Sequence, residues 1–564
     1  MRKNSLNRRT LLLNGTAMMG GLAAGLSLDG NKAFGQTKAK TSSMDIAAAG
    51  HKAPAAGPNM NPPTVEVKGG KLRGFIEDKT YTFRGIPYAV ADRFELPKPV
   101  PAWEGIKNVQ VFGPVSPIPN LTEPSKDEFV FPHRYWSENE HCQNLNVWTP
   151  TLDRSAKKPV MVWMHGGGFT NGSSIEGYSY EGKNLSDFGD VVVVSVNHRL
   201  NILGTLDLSA YGEKYAKSRY TGTADLVAAL QWVHDNIESF GGDPNSVMIF
   251  GQSGGGGKVL RMMHTPAAKG LFHRVTAESG ATTYFRGIEP AKAIKTQQQI
   301  AAYTLANLNL TGDQIEELKK VPYETLLVAG TDALKKVAKE TGRETTWEVI
   351  ADDDYIKVEF CDWANSIPLM AGYNFSEHIS TMDRGEFRKN EWTAEETNAT
   401  LTKAFGPKKD EVLAEFKKVF PDKKDQDAYF FSAVSRPIVK RQLKLKGEQK
   451  SPVYHYLFAY EAEVNGGTTP FHCAEIAFAF HNIGIPQTRV ATGGTASAFA
   501  LQDKVAQAWV NFAKSGNPSQ PGLEWKPWTA ADPQTMVFDV KSECRALNDD
   551  KLVTLMVPKS EQSA

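Results

Sequence analysis

The chain has 564 residues, 41% hydrophobic, 10% aromatic and 23% charged, a make-up that supports a large core and excludes wholesale disorder. Its 64 basic and 63 acidic side chains leave a formal net charge of +1, so no overall field draws it to nucleic acid or to an anionic membrane, and small neutral substrates suit that balance. Four cysteines, Cys142, Cys361, Cys473 and Cys544, lack C-x-x-C spacing, which argues against the usual zinc patterns and against a disulfide scaffold.

Residues 1–35 read as an address. Arg2, Lys3, Arg8 and Arg9 precede a mildly apolar, glycine-diluted run over 11–28, and Ala33-Phe34-Gly35 offers small residues for cleavage. The pair in Asn7-Arg8-Arg9-Thr10-Leu11-Leu12 resembles a twin-arginine export signal, which implies a periplasmic or secreted bacterial protein; an ordinary secretory signal is the alternative. No other stretch approaches the roughly 20 apolar residues of a spanning helix, so a soluble mature protein without stable membrane insertion is expected. Residues 36–63, rich in Ala, Gly, Pro and Lys, read as a flexible linker.

Structure is expected from Val65, where Val65/Val67 and then Tyr81/Phe83 alternate around Gly69-Gly70 as in an antiparallel meander. Phe83-Arg84-Gly85-Ile86-Pro87-Tyr88 reads as a turn-rich crossing. The aperiodic stretch 114–142 carries Phe129, Phe131, Tyr135 and Trp136, as a long loop does when it covers a pocket or fills a core. Short, almost continuous apolar runs at 159–164 and 191–196 suit strands buried on both faces, and 224–237 has helical spacing. Charged amphipathic helix is expected over 301–350 and 392–448. The fold expected is α/β, a single domain over 64–560 with a mostly parallel central sheet, helices on both faces and helical cap insertions.

The apolar run 247–250 stops at Gly251-Gln252-Ser253-Gly254-Gly255, a G-x-S-x-G in which a strand breaks sharply into a helix. Glycines two before and two after the serine remove the clash that bulk would cause, and the turn sets the Gly254 N–H at a helix N-terminus. Catalysis by such a serine needs an oxyanion hole, a base and a group that orients the base. His165-Gly166-Gly167-Gly168-Phe169, directly after the 159–164 strand, supplies consecutive flexible N–H groups, so Gly167, Gly168 and Gly254 are the candidate hole and His165 is structural. The triad order Ser, acid, His limits the search to residues beyond Ser253. Among His378, His455, His472 and His481, only His472 stands in a loop directly after a strand, 453–460. Glu377, following an expected strand over 368–374, and the run Asp352-Asp353-Asp354 both remain open as the acid, the latter reading more simply as a solvated loop.

Residues 240–255 resemble the serine signature of the type-B carboxylesterase family, which includes para-nitrobenzyl esterases and cholinesterases, with matching spacing throughout. The likeness extends to Phe83-Arg84-Gly85-Ile86-Pro87-Tyr88-Ala89, Glu140-His141-Cys142-Gln143-Asn144-Leu145-Asn146-Val147-Trp148, Val196-Asn197-His198-Arg199-Leu200 and Trp509-Val510-Asn511-Phe512-Ala513. It implies an α/β-hydrolase fold, Ser253, Glu377 and His472 as triad, and Glu475 as a supporting carboxylate near the histidine. Some positions depart from the pattern. Ser116 stands where the family's partner cysteine for Cys142 would be, so an unpaired Cys142 is expected. His378 and Cys473 replace glycines beside the acid and the histidine, and Gly254 replaces a frequent alanine.

Two nucleotide-binding readings fail. In 251–258 a phosphate-binding loop would need glycine at Gln252 and Ser or Thr at Val259, and in 165–172 Asn171 occupies the last glycine of G-x-G-x-x-G. The reading is a serine carboxylesterase acting through an acyl-enzyme on a small-molecule ester, without cofactor or metal. An amide or carbamate hydrolase and a noncatalytic binding protein on the same fold are the alternatives.

Overall fold

In the strand Lys158–Met164, Val160, Val162 and Met164 enter one hydrophobic cluster while Met161 and Trp163 enter another. Period-2 alternation sends successive side chains to opposite faces of a sheet, and here both faces are dry, so nearly every position is apolar. Each Val or Met buried in this way contributes about 2 kcal/mol.

The computed structural model describes residues 61–119, 128–280, 289–385 and 388–557. The expected export signal, residues 36–60 of the expected linker, part of the 114–142 loop and the last residues of the expected domain lie outside the described residues. The main sheet comprises β1 (Phe75–Glu77), β2 (Thr80–Pro87), β3 (Asn144–Thr149), β4 (Lys158–Met164), β5 (Val192–Val196), β6 (Gly242–Gln252), β7 (Arg274–Glu278), β8 (Leu369–Asn374), β9 (Val453–Phe458), β10 (Gln534–Phe538) and β11 (Glu543–Ala546). Their spatial order is β11-β10-β9-β8-β7-β6-β4-β5-β3-β2-β1. Pairing is parallel from β5 through β10 and antiparallel at both margins. A mostly parallel sheet needs crossovers, and these supply the helices.

Helix α1 (Thr221–Asn236) packs Leu226, Ala229, Leu230 and Val233 on one face of the sheet. Helix α2 (Gly254–Met262) starts at Ser253. Helices α3 (Pro290–Asn307) and α4 (Tyr323–Thr341), the expected helical insertion, pack on each other and on Ile202, Leu203 and Leu206 in a third cluster around Ile300, Leu305, Leu326 and Leu334. Helices α5 (Ala394–Phe405), α6 (Lys409–Val419) and α7 (Ser435–Gly447) form the second insertion. Helix α8 (Ala496–Ser515) covers the other face with Leu501, Val505, Trp509 and Phe512. Arg199, fully buried, clamps the layers: it pairs with Asp225 of α1 at 2.7 Å and donates to the carbonyls of Asp92 and Glu95.

Three sequence expectations change. The antiparallel start is real, but its two hairpins fall in different sheets, Thr64–Val67 with Gly70–Arg73 in a small one and β1 with β2 in the main one. The crossing expected at 83–88 is strand β2 itself, whose register shifts between Phe83 and Ile86; Gly85, at φ 70, takes up the bulge that the turn residues suggested. Strand β7 had no counterpart in the sequence reading, although its short run Val275-Thr276-Ala277 ends in Glu278-Ser279-Gly280.

Candidate active site

Ser253, Glu377, His472, Glu475 and the glycines Gly167, Gly168 and Gly254 gather where the parallel strands end, the edge at which such sheets bind ligands. β4 and β6 end side by side, Met164 facing Gly251, and β7 pairs its Glu278 with Gln252. The chain then turns at Ser253 with φ 57 and ψ −123, a conformation that costs a non-glycine residue about 1–3 kcal/mol and persists only when its surroundings impose it. Two main-chain bonds do so: Ser253 N–H donates to the Glu278 carbonyl at 2.8 Å, and the Ser253 carbonyl accepts from Gly257 N–H at 3.0 Å.

The glycines two before and two after the serine are required by contact. A Cβ on Gly251 would stand 2.7 Å from the Gly255 carbonyl carbon, and one on Gly255 would overlap the Met164 carbonyl oxygen and lie 2.9 Å from that of His165. A Cβ on Gly254 would lie 2.5 Å from the Gly168 carbonyl oxygen and nearer still to its N and Cα. The segment carrying Gly167 and Gly168, both at positive φ, is therefore laid against the first turn of α2. Gly167 accepts at its carbonyl from Asn171 N–H at 2.9 Å, which fixes the peptide that presents the Gly168 N–H.

On the other side of Ser253, His472 Nδ1 donates to Glu377 Oε2. Glu377 Oε1 accepts from Ser279 Oγ at 2.7 Å and from the Asn374 N–H at 2.8 Å. Burial drives the Glu377 carboxyl towards protonation, but the charge and hydrogen bond of His472, with the Ser279 and Asn374 bonds, outweigh it and hold the group below its ordinary value. The His472 carbonyl accepts from Asn374 Nδ2 at 2.9 Å and from the side chain of Gln252, the residue before the serine. The His472 main chain is thus tied by side chains both to the strand that precedes Glu377 and to the residue before Ser253.

Two further carboxyls lie beneath, each completely buried. Asn374 Nδ2 donates to Glu475 Oε2 at 2.6 Å, and Trp509 Nε1 donates to Glu278 Oε1 at 2.7 Å. Burial pushes Glu278 up to about 8; burial, reinforced by the charges of Glu278 and Glu377, pushes Glu475 well above its ordinary value. Of the three, Glu377 alone has the donors to stay anionic, so the environments separate one carboxylate from two carboxylic acids. Sequence reasoning reached Glu475 through family likeness and missed Glu278, Ser279 and Asn374; the Glu278-Ser279-Gly280 run after an apolar stretch was the available signal.

The remaining candidates are elsewhere engaged. Asp352, whose side chain is only 4% exposed, pairs with Arg219, contrary to the solvated loop expected, while Asp353 and Asp354 are exposed. His455 donates into β8 and contacts Arg436, and His481 pairs with Asp503. Cys142 is a buried free thiol, pushed up to about 12 mainly by burial, as the serine at 116 led one to expect. The His378 ring packs tilted against His472 with centroids 4.4 Å apart, and Glu377, His378 and His472 offer ligand atoms within 4.8 Å of one another. Both Glu377 oxygens are already engaged, which leaves two imidazoles and no ready third ligand. Phe131, Tyr178, Phe471 and Cys473 line a mainly apolar cleft beside His472.

Comparison with known proteins places the chain among carboxylesterases. The model of the carboxylesterase family matches residues 61–553. The para-nitrobenzyl esterase of Bacillus subtilis (strain 168) is 30% identical over 85% of this chain and 95% of its own length. The phenmedipham hydrolase of Pseudarthrobacter oxydans is 28% identical over 84% of this chain and 94% of that protein. Among solved structures, an esterase from Clostridium hathewayi, described as able to hydrolyse aliphatic aromatic polyesters, superposes with a TM-score of 0.81 at 40% identity, over 88% of this chain and 98% of that one.

Proposed function

The chain belongs to the carboxylesterase family and is a carboxylic ester hydrolase of α/β-hydrolase fold, and we propose that it is an exported serine enzyme working through an acyl-enzyme on Ser253. His472 Nε2 takes the Ser253 hydroxyl proton as Oγ attacks the ester carbonyl carbon. The oxyanion formed accepts from the N–H groups of Gly167, Gly168 and Gly254. The imidazolium, held by Glu377, returns its proton to the departing alkoxide, and the alcohol leaves. Water then attacks the acyl carbon, His472 takes its proton and passes it to Ser253 Oγ, and the carboxylic acid is released. The observation that carries this reading is the buried Glu377 carboxylate, kept charged by Ser279, Asn374 and His472 and bonded to the ring nitrogen opposite the one that would serve the serine.

The test is covalent. An organophosphate should label wild-type protein at Ser253 with loss of p-nitrophenyl ester hydrolysis, and Ser253→Ala should neither label nor turn over. Labelling of another residue would end the proposal. A panel of p-nitrophenyl esters of graded chain length reads acyl preference.

A second reading, attack on polymeric aromatic esters, is favoured by Phe129, Tyr135 and Trp136, which are 54%, 64% and 45% exposed on the segment that also carries the cleft residue Phe131. Exposed aromatics adsorb to aromatic surfaces. Trp136→Ala should lower diacid release from an aliphatic–aromatic polyester film while leaving a soluble ester unaffected; equal rates on film exclude this reading.

A further inference from the structure

Five residues into the chain from Ser253, helix α2 turns a lysine inward. Lys258 is completely buried, and its Nζ donates to the His165 carbonyl at 2.9 Å and to the Gly166 carbonyl at 3.4 Å. These carbonyls belong to the peptides that present the N–H groups of Gly166 and Gly167. In a trans peptide C=O and N–H point in opposite directions, and the described residues contain no cis bond. A carbonyl turned towards Lys258 therefore turns the following N–H away from it.

The elbow lies against this same segment. A Cβ on Gly166 would stand 3.2 Å from the Gln252 carbonyl oxygen and 3.6 Å from Ser253 Cβ. The Gly166 carbonyl also accepts from His165 Nδ1 at 3.0 Å, so the first oxyanion peptide is gripped by a ring and by an amine, as the second is gripped by Asn171.

Packing alone gives no reason for an amine here. Taking a lysine out of water is costly, and burial pushes Lys258 down to about 7, with only Glu176 opposing; Glu176 is itself pushed up to about 7 by burial. His165 and His198, stacked 5.2 Å apart, are kept neutral by burial and by the same lysine, and the Phe169 ring lies 5.8 Å from Nζ. A methionine of similar length would fill the space without the desolvation penalty.

We propose that Lys258 is a positioning residue of the oxyanion hole, holding the His165 and Gly166 carbonyls so that the following peptides face Ser253 and polarising the Gly167 N–H that receives the developing charge. The inference rests on the reading of Ser253 as nucleophile given above. Only interactions stronger in the transition state than in the ground state raise kcat, so losing this one should spare substrate binding.

The test uses Lys258→Met, which keeps the length and removes the donor, and Lys258→Gln, which keeps a donor without the charge. For each, circular dichroism and melting temperature establish folding. The readouts are kcat and KM on p-nitrophenyl butyrate and the inhibition constant of an alkyl trifluoromethyl ketone, which forms a hemiketal oxyanion on a serine. Lys258→Met is expected to lose about 10–100-fold in kcat with KM within about threefold, and to bind the ketone more weakly by a similar factor, with Lys258→Gln in between. A lysine that merely fills the core would lower the melting temperature and leave both catalytic readouts unchanged. Folded Lys258→Met with kcat and ketone affinity within about threefold of wild type overturns the proposal; if that variant does not fold, the same result for Lys258→Gln overturns it. Failure of organophosphate labelling at Ser253 in wild type would instead bring down the underlying mechanism, so the two failures are distinguishable.

Discussion

Ser279 Oγ donates to Glu377 Oε1 at 2.7 Å from the position immediately after Glu278, whose main-chain carbonyl holds the Ser253 N–H at 2.8 Å. One strand end thus anchors the turn at Ser253 through its backbone and the Glu377 carboxylate through a side chain. Ser279, at φ 48, is held in a left-handed turn that aims its hydroxyl at the carboxylate.

From this follows the outcome for Glu377→Gln. The amide cannot stabilise an imidazolium by charge and presents an NH2 to the ring nitrogen or to Ser279, which favours the wrong tautomer. By analogy with serine proteases kcat should fall by up to about 10⁴-fold, about 5 kcal/mol of transition-state stabilisation. Asp352→Asn, which weakens the ties to Arg219 and Tyr220, should alter stability and keep kcat within about threefold. Steady-state kinetics on both variants, with circular dichroism, decides; the reverse pattern would transfer the acid's role to the Asp run.

Gly254 and Gly255 should respond differently to alanine. At Gly254 the new methyl meets the Gly168 backbone, which belongs to a loop and can retreat, so Gly254→Ala should fold at a cost of about 1–3 kcal/mol while displacing the loop. A shift of about 1 Å there predicts a loss near 10²-fold in kcat. At Gly255 the obstacle is the Met164 carbonyl of a central strand, and Gly255→Ala should yield little folded protein. Wild-type kcat in Gly254→Ala would refute the assignment of this contact to the oxyanion hole.

Stability should decline as pH rises from 5 to 8. Glu278 has a folded value of about 8 against an ordinary 4.5, so the folded state holds a proton that the unfolded chain releases first. Its contribution is complete below pH 4.5 and is lost as pH climbs through 8, on the order of 4 kcal/mol across this interval. Glu475, raised in the same direction, adds to the slope. Glu278→Gln retains an acceptor for Trp509 but has no proton to lose, so urea midpoints between pH 5 and 8 should change less than in wild type. An unaltered slope would show that Glu278 ionises freely in the folded protein.

Export is open to a direct test. Replacing both Arg8 and Arg9 by lysine should leave the precursor in the cytoplasm, measured by fractionation and immunoblotting in a bacterial host. Undiminished export of this double variant would point to the ordinary secretory route.

The sequence by itself determined the layers and the sharp turn that carries Ser253. Runs such as Val192–Val196, apolar at nearly every position, can only be strands covered on both sides, and a G-x-S-x-G at the end of such a run admits one backbone path because every other residue at Gly251 or Gly255 would collide with the neighbouring strand. Such signals are local: they depend on a few adjacent residues and survive without knowledge of the rest of the chain. The choice of acid was not local. Glu377 and Asp352 each follow plausible strand or loop patterns, and what separates them is that Ser279, Asn374 and His472, drawn from three segments, converge on Glu377 while Arg219 claims Asp352. The ionisation of Glu278 and Glu475 and the grip of Lys258 on His165 and Gly166 were likewise decided only by tertiary structure, because a carboxyl or an amine takes its charge and its partners from how much water is excluded and from which polar groups remain within about 3 Å, and neither quantity is written in the order of the residues.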